Sequence, residues 1–499
     1  MFALLTRLFR PAPAAPAAAC PAPAPAEDDR PRGCGWFDSS HELMRGVTVW
    51  EGIIVVDNTV ASPPMTDTAR RSRPLHRRAA LAALALPAVA ALPGCGGGSD
   101  RRRAHVRLVN ASTGNPQLEL RVDDELKHAA VAYGERAAYA EVDPDEPETT
   151  VFATGSPTAL LRFSPAYAND RWFTVLAYGP AGALRALTLD DNRGEPEANR
   201  AVLRVVNAAA DAGALDLYLT TEAEDLATAV PLQAGAAYGA VGDWQTVASG
   251  RWRLRATAAG SKTDVRLDLP AVDLASRAIG TLVLSSSAGG VLVDALLLAQ
   301  RGAITPRANA QARVRLAALL TDSASVTASL GAVALGSGVG SPAVADYVRV
   351  AAGPVVPAVA VNGVALAVPG LTLQPGRDHT LLLAGTPAAP RVVLLTDDNT
   401  LPRDTARAKL RLVNALADAS LVAAMTLDFA PVGGEVAAGA ASEAALVVAT
   451  LAGRIAVTAR GATAPLFVAT EQVVRAGGVH TVFVAGAADA AVGILRRDR

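Results

Sequence analysis

A five-residue phrase recurs four times and sets the scale of everything that follows. It reads Val106-Arg107-Leu108-Val109-Asn110, then Leu203-Arg204-Val205-Val206-Asn207. A worn copy stands at Val314-Arg315-Leu316-Ala317-Ala318, and the last is Leu410-Arg411-Leu412-Val413-Asn414. Successive copies start 97, 111 and 96 residues apart. That period is too long for a solenoid unit and suits a small domain.

Other landmarks keep step with the phrase. Eight residues after Asn110 comes Leu118-Glu119-Leu120-Arg121-Val122, and eight after Asn207 comes Leu215-Asp216-Leu217-Tyr218-Leu219. Apolar and polar residues alternate, as in a strand with one buried face. A later apolar strand recurs at Phe173–Gly179, Thr281–Leu284, His379–Gly385 and His480–Gly486. About seven short strands per repeat point to a β-sandwich. The fold class expected is therefore all-β, with four tandem immunoglobulin-like sandwiches at 104–198, 199–308, 309–405 and 406–499. Alternation places Leu203 and Val205 on the buried face and Arg204 outward. On that reading Arg204→Ser costs little, and short Pro-bearing linkers join the repeats in a row. Asp190-Asp191-Asn192 and Asp397-Asp398-Asn399, 207 residues apart, hint that a two-repeat unit was duplicated.

The N-terminal part carries an address. Basic residues at 70–78 precede the 14-residue apolar stretch Ala79–Leu92, which has the charge and length of an export signal. Leu92-Pro93-Gly94-Cys95 resembles a bacterial lipobox, which implies cleavage before Cys95 and lipid on its sulfur. Gly96-Gly97-Gly98-Ser99 reads as a tether, so 65–94 is a signal peptide and 95–103 a flexible link. Gly96 after the cysteine fits release to the outer membrane. Residues 1–64, with a Pro/Ala tract, read as a disordered extension or a mis-assigned start, Met65 being the alternative first residue. A true extension would instead make 79–92 a signal anchor.

The repeats resemble a bacterial family known as domain of unknown function 4397. The residues that carry the likeness are Arg204-Val205-Val206-Asn207-Ala208 and Asp216-Leu217-Tyr218-Leu219, with the corresponding stretches from 104 to about 495. The resemblance implies secreted or lipid-anchored β-domains, often in tandem, with no established chemistry.

Composition narrows the chemistry. Lys and Arg total 46 against 47 Asp and Glu, a balance that offers no general attraction for nucleic acid. The cysteines are Cys20, Cys34 and Cys95, so the repeats hold neither a disulfide nor a thiolate metal site. No G-x-S-x-G or H-E-x-x-H motif occurs. His379 and His480 share a repeat position with Phe173, which reads as packing. The two Asp-Asp-Asn stretches read as solvated turns rather than calcium loops, because they lack alternating ligands. Asn110, Asn207 and Asn414 read as side chains bonding their own turn backbone.

These features predict a noncatalytic envelope lipoprotein without cofactor or metal. Lipid on Cys95 is its membrane contact, and a protein or glycan is its partner. The alternative is a module for glycan, peptidoglycan or a small molecule. Its ligand-binding residues are then Tyr218, Trp244 and Trp252 of the second repeat.

Overall fold

The computed structural model describes residues 102–499. The extension, signal and Cys95 readings fall outside the described residues. Four β-sandwiches follow one another, and the described chain carries no helix. The first sandwich runs from Ala104 to Asp190, the second from Arg200 to Arg307, the third from Gln311 to Asp397 and the fourth from Arg407 to Arg497.

Each sandwich has two main sheets. In the first, one sheet orders Ala140–Val142, Ala104–Ala111, Trp172–Tyr178 and Arg185–Asp190; the other orders Glu125–Ala132, Gln117–Val122, Thr149–Ala153 and Ala159–Phe163. The recurring phrase forms a central strand of the first sheet in every copy: Ala104–Ala111, Arg200–Ala208, Gln311–Leu320 and Arg407–Leu416. It runs parallel to the late strand, with Arg107 opposite Thr174, Arg204 opposite Thr281, Arg315 opposite Thr380 and Arg411 opposite Thr481. This pairing is the one parallel element in sheets that are otherwise antiparallel.

Alternation builds the cores as expected. Val106 and Leu108 meet Leu118, Leu120 and Val151 inside the first sandwich. Leu203 and Val205 meet Leu215, Leu217 and Leu254 inside the second. The third and fourth have matching cores around Val314 and Leu316, and around Leu410 and Leu412. Few rings enter these cores, so packing rests on Leu, Val and Ala side chains at close density.

The opposite face of the phrase strand corrects the outward-facing reading. Arg204 is only 7% exposed, and Arg107, Arg315 and Arg411 are buried still further. The sandwiches do not stand end to end. They pack in pairs, phrase sheet against phrase sheet. Val109, Ala111, Leu176 and Tyr178 of the first meet Val206, Ala208, Val283 and Leu298 of the second. Ala317, Leu319, Leu382 and Ala384 of the third meet Val413, Ala415, Phe483 and Ala485 of the fourth. Counting from the phrase arginines, the same positions face each other from both sides, as in an isologous dimer. Both faces of the phrase strand are thus buried. This explains why the phrase is apolar apart from its arginine and, in three copies, its closing asparagine, since a strand buried on both faces reads as a near-continuous apolar run. The two-repeat period hinted at by the Asp-Asp-Asn stretches is this pair.

The pairs also touch each other. Gly289 N–H donates to Gly376 O at 2.9 Å, and Ser287 Oγ donates to the same carbonyl at 2.9 Å. Arg499 Nη1 donates to Gly290 O at 2.6 Å, and Leu401 N–H to Asp211 Oδ1 at 2.9 Å. A Cβ on Gly289 would lie 2.6 Å from Gly376 O, and one on Gly290 would lie 2.7 Å from Thr400 Cα. Glycine here permits backbone to approach backbone.

Candidate functional site

The densest arrangement of charged groups lies inside the paired interfaces, and the phrase supplies its first member. Each arginine places Nε on the hydroxyl of the threonine opposite: Arg107 to Thr174 at 2.8 Å, Arg204 to Thr281 at 2.9 Å, Arg315 to Thr380 at 2.9 Å and Arg411 to Thr481 at 2.8 Å. Parallel register makes this contact repeat, because the two residues are cross-strand neighbours.

An acid follows from the next strand in three of the four sandwiches. The residue two beyond each threonine's antiparallel partner is Asp191, Gln300, Asp397 or Asp498 in the four sandwiches. In the third and fourth sandwiches both positions are acidic, and both carboxylates are fully buried. Asp397 accepts from Thr380 Oγ1 and from the Tyr347 hydroxyl, each at 2.6 Å. Its Oδ2 lies 3.8 Å from Arg315 Nη2, and its Oδ1 lies 3.0 Å from Arg411 Nη2. That last pair is close but off the hydrogen-bonding direction, leaving both atoms without a directed bond. Asp498 accepts from Arg315 Nη1 and lies 3.7 Å from Arg411 Nη2. Two cations and two anions are thus enclosed together.

The first pair has the same frame with one charge fewer. Asp191 accepts from Thr174 and, at 2.7 Å, from Tyr139, and lies 3.6 Å from Arg107 and 3.9 Å from Arg204. Gln300 stands where the second pair has Asp498. Backbone carbonyls take over part of the compensation: Arg107 donates to Gly302 O at 2.8 Å and to Ala299 O at 3.3 Å. The electrostatics register the difference. Burial lowers the Arg107 and Arg204 pKa values, and the Tyr139 and Asp191 side chains only partly restore Arg107. Burial also pulls on Arg411, but Asp397 and Asp498 outweigh it and the value ends above that of free arginine. Tyr139 and Tyr347 are pushed up, first by burial and then by the adjoining carboxylate. They therefore stay protonated as donors.

An aromatic ring covers most of these guanidiniums. Tyr139 covers Arg107 at 4.8 Å, Trp244 covers Arg204 at 4.3 Å and Tyr347 covers Arg315 at 4.5 Å. The three rings are equivalent, each three residues beyond the residue bridged to the phrase strand. Trp244 is thus a lid on Arg204. Tyr218 lies on the outer face of its sheet, buried with Leu226, Ala229 and Val265. Trp252 lies on the inner face of the same sheet, against the core, and donates Nε1–H to Ala248 O at 3.0 Å. The structure therefore does not gather Tyr218, Trp244 and Trp252 on one platform.

The remaining candidates take structural places. Asn207 Nδ2 donates to Gly213 O at 2.9 Å and to Ala236 O at 2.8 Å, and its Oδ1 accepts from Ala209 N–H at 3.0 Å. Asn110 and Asn414 repeat the clamp. It reaches beyond the local turn expected, because Ala236, Val131 and Val436 lie on another strand. In the third sandwich, Ala318 lacks the amide, and a short strand, Ala343–Val344, pairs there instead. His379 and His480 are buried on the core side, where Nε2 accepts from Gln374 N–H at 3.2 Å and from Arg475 N–H at 3.4 Å. Burial lowers both values. Asp191 and Asp397 are buried rather than solvated. Among the described residues, no group of three or more His, Cys, Asp or Glu is placed to hold a metal.

Sequence reasoning misses the buried network, though a signal for it exists. Tyr139 and Tyr347 each stand 32 residues after a phrase arginine, at 107 and 315. What the arrangement does is lock one sheet to the next, since its cations are held by partners inside the fold.

Comparison with known proteins places the repeats. Residues 104–218 and 312–425 match the family described as "Domain of unknown function (DUF4397)". The chain thus carries two tandem regions similar to that family. Each match covers the odd-numbered sandwich and the opening strands of its partner, so it follows the pair. The third sandwich, whose phrase is worn, lies within a match, whereas residues 219–311 and those after 425 lie outside both. No curated protein matches the chain. Among solved structures, one titled "The Bacillus anthracis TIE protein" is similar at 10% identity over 77% of this chain and 68% of that one, with a TM-score of 0.13.

Proposed function

We propose that the chain is a noncatalytic, lipid-anchored envelope protein whose sandwiches act in pairs as a stiff body for structural, adhesive or assembly contacts. The observation that carries this reading is the buried Arg–Asp–Tyr network between phrase sheets. It joins two sandwiches through groups that are costly to expose or to separate, and so resists bending between them. The export signal and Leu92-Pro93-Gly94-Cys95 supply the anchor, on the outer membrane, with a protein or glycan as partner. The scattering of Tyr218, Trp244 and Trp252 favours this reading over a glycan platform in the second sandwich.

Expression of the wild-type gene and of Cys95→Ala with labelled palmitate tests the anchor. The wild type is expected in the membrane fraction carrying label, and the variant unlabelled and released. Equal membrane retention without label overturns the anchor.

A further inference from the structure

The two pairs differ at one place where the first is plugged and the second is open. In the first sandwich Val109, two residues after the phrase arginine, bridges Arg136. In the third, the corresponding Ala317 pairs with Val344. Three residues before each partner stand Tyr133 and Ser341. Tyr133 reaches across to the second sandwich, where its hydroxyl lies 3.0 Å from Ser285 Oγ and the Asp294 carboxylate acts on the same phenol. Ser285 corresponds to Ala485, each four residues beyond the threonine that binds the phrase arginine. Asp294, paired with Ser285, corresponds to Val492, paired with Ala485. The second pair therefore lacks the ring, the hydroxyl that meets it and the acid beside it.

What remains is a cleft of about 480 Å³ between the third and fourth sandwiches, with Leu320, Pro342, Ala485, Ala490 and Val492 among its walls. Its size lies within the range of about 300–1,000 Å³ common for small-molecule sites. The floor is apolar where Ala485 and Val492 replace Ser285 and Asp294. The rim carries the exposed side chain of Asp322, whose Oδ2 accepts from Thr321 Oγ1 at 3.0 Å. No basic side chain among the described residues lies within ion-pair distance of it.

We infer that this cleft binds a small ligand made of one aromatic ring and a cationic amine. The ring takes the place that Tyr133 fills in the first pair, and the ammonium group meets Asp322 at the rim. A ring of that size removes the apolar floor from water, and the acid orients it. The inference goes beyond the proposed scaffold role and does not rest on the lipid anchor.

The test titrates the full chain with 2-phenylethylamine while following the methyl signals of Ala485, Ala490 and Val492 by NMR. Saturable shifts confined to those methyls are expected. Val492→Phe, which fills the floor, should abolish them. Asp322→Asn should weaken binding about tenfold, the scale of one charged contact. Phenylacetate, with the same ring and the opposite charge, should bind at least about tenfold more weakly. Ala490→Trp blocks the cleft from another wall and must also abolish binding at an unchanged melting temperature, which separates blockage from misfolding. Absence of saturable shifts in the wild type overturns the site. So does binding that survives both blocking variants, or phenylacetate binding as tightly as the amine.

Discussion

Asp397→Asn is the sharpest single perturbation of the paired interface. Asparagine keeps the shape and one carbonyl acceptor but removes a charge. Asp397 is fully buried and faces both Arg315 and Arg411, so the substitution leaves two enclosed guanidiniums against Asp498 alone. The first pair survives that charge count because Gly302 and Ala299 carbonyls receive Arg107. Among the described residues, Arg315 has no such carbonyl pair and relies on Thr380 and Asp498. Breaking a buried ion pair by removing one partner costs about 3–5 kcal/mol. That is a large share of a domain stability of about 5–15 kcal/mol. Urea unfolding of the full chain, followed by circular dichroism, reads the change in the transition belonging to the third and fourth sandwiches, while the fluorescence of Trp172, Trp244 and Trp252 follows the first pair. Glu148→Gln serves as control, because the Arg162–Glu148 pair is exposed on both sides and such pairs contribute about 0–1 kcal/mol. Arg411→Gln should cost less in the Asp397→Asn background than in wild type, since neighbours in one network couple. Asp397→Asn no more costly than Glu148→Gln would mean that the buried network does not hold the pair together.

Two further outcomes follow from the same geometry. Asn207→Ala strips the clamp from Gly213, Ala236 and Ala209 and should destabilise the second sandwich by at least about 1–3 kcal/mol, the cost of a buried group left unpaired; thermal unfolding checks it, and Ala318→Asn should bring no comparable gain because Ala343 already pairs at that site. His379 and His480 have pKa values lowered from 6.5, chiefly by burial, so the unfolded chain takes up their protons first. Their contribution is complete above about pH 6.5 and is lost as pH falls toward the folded values. The double variant His379→Phe/His480→Phe, which copies the ring that Phe173 places there in the first sandwich, should flatten the stability profile below that pH, and an unchanged slope would count against buried neutral imidazoles.

Much of the fold is legible because alternation is a local signal. Period alone assigns Leu203, Val205, Leu215 and Leu217 to the core, and they lie there. The four copies of the phrase mark four equivalent strands. The arginine is misread because alternation says which residues share a face and not what covers it. A second, largely apolar sheet turns an outward position into an interior one, and that sheet belongs to the neighbouring repeat, far along the chain. Trp244 is misread for the same reason. An aromatic residue in a connecting segment reads as a platform until its partner, Arg204, is known to be buried beneath it. Tyr218 follows a good strand pattern, but the segment carrying Leu226 and Ala229 covers its outer face. Asp191 and Asp397 look like turn residues because two polar neighbours flank them, and their burial depends on the paired sheet.

The sandwiches fold as pairs. Urea unfolding of residues 104–308 beside residues 199–308 alone tests this most directly. The pair should unfold in one cooperative transition. The single sandwich, with Arg204, Val206, Val283 and Leu298 stripped of their cover, should be unfolded or several kcal/mol less stable, given about 1.5–3 kcal/mol for each large apolar side chain exposed. A single sandwich as stable alone as in the pair would mean that each sandwich folds independently.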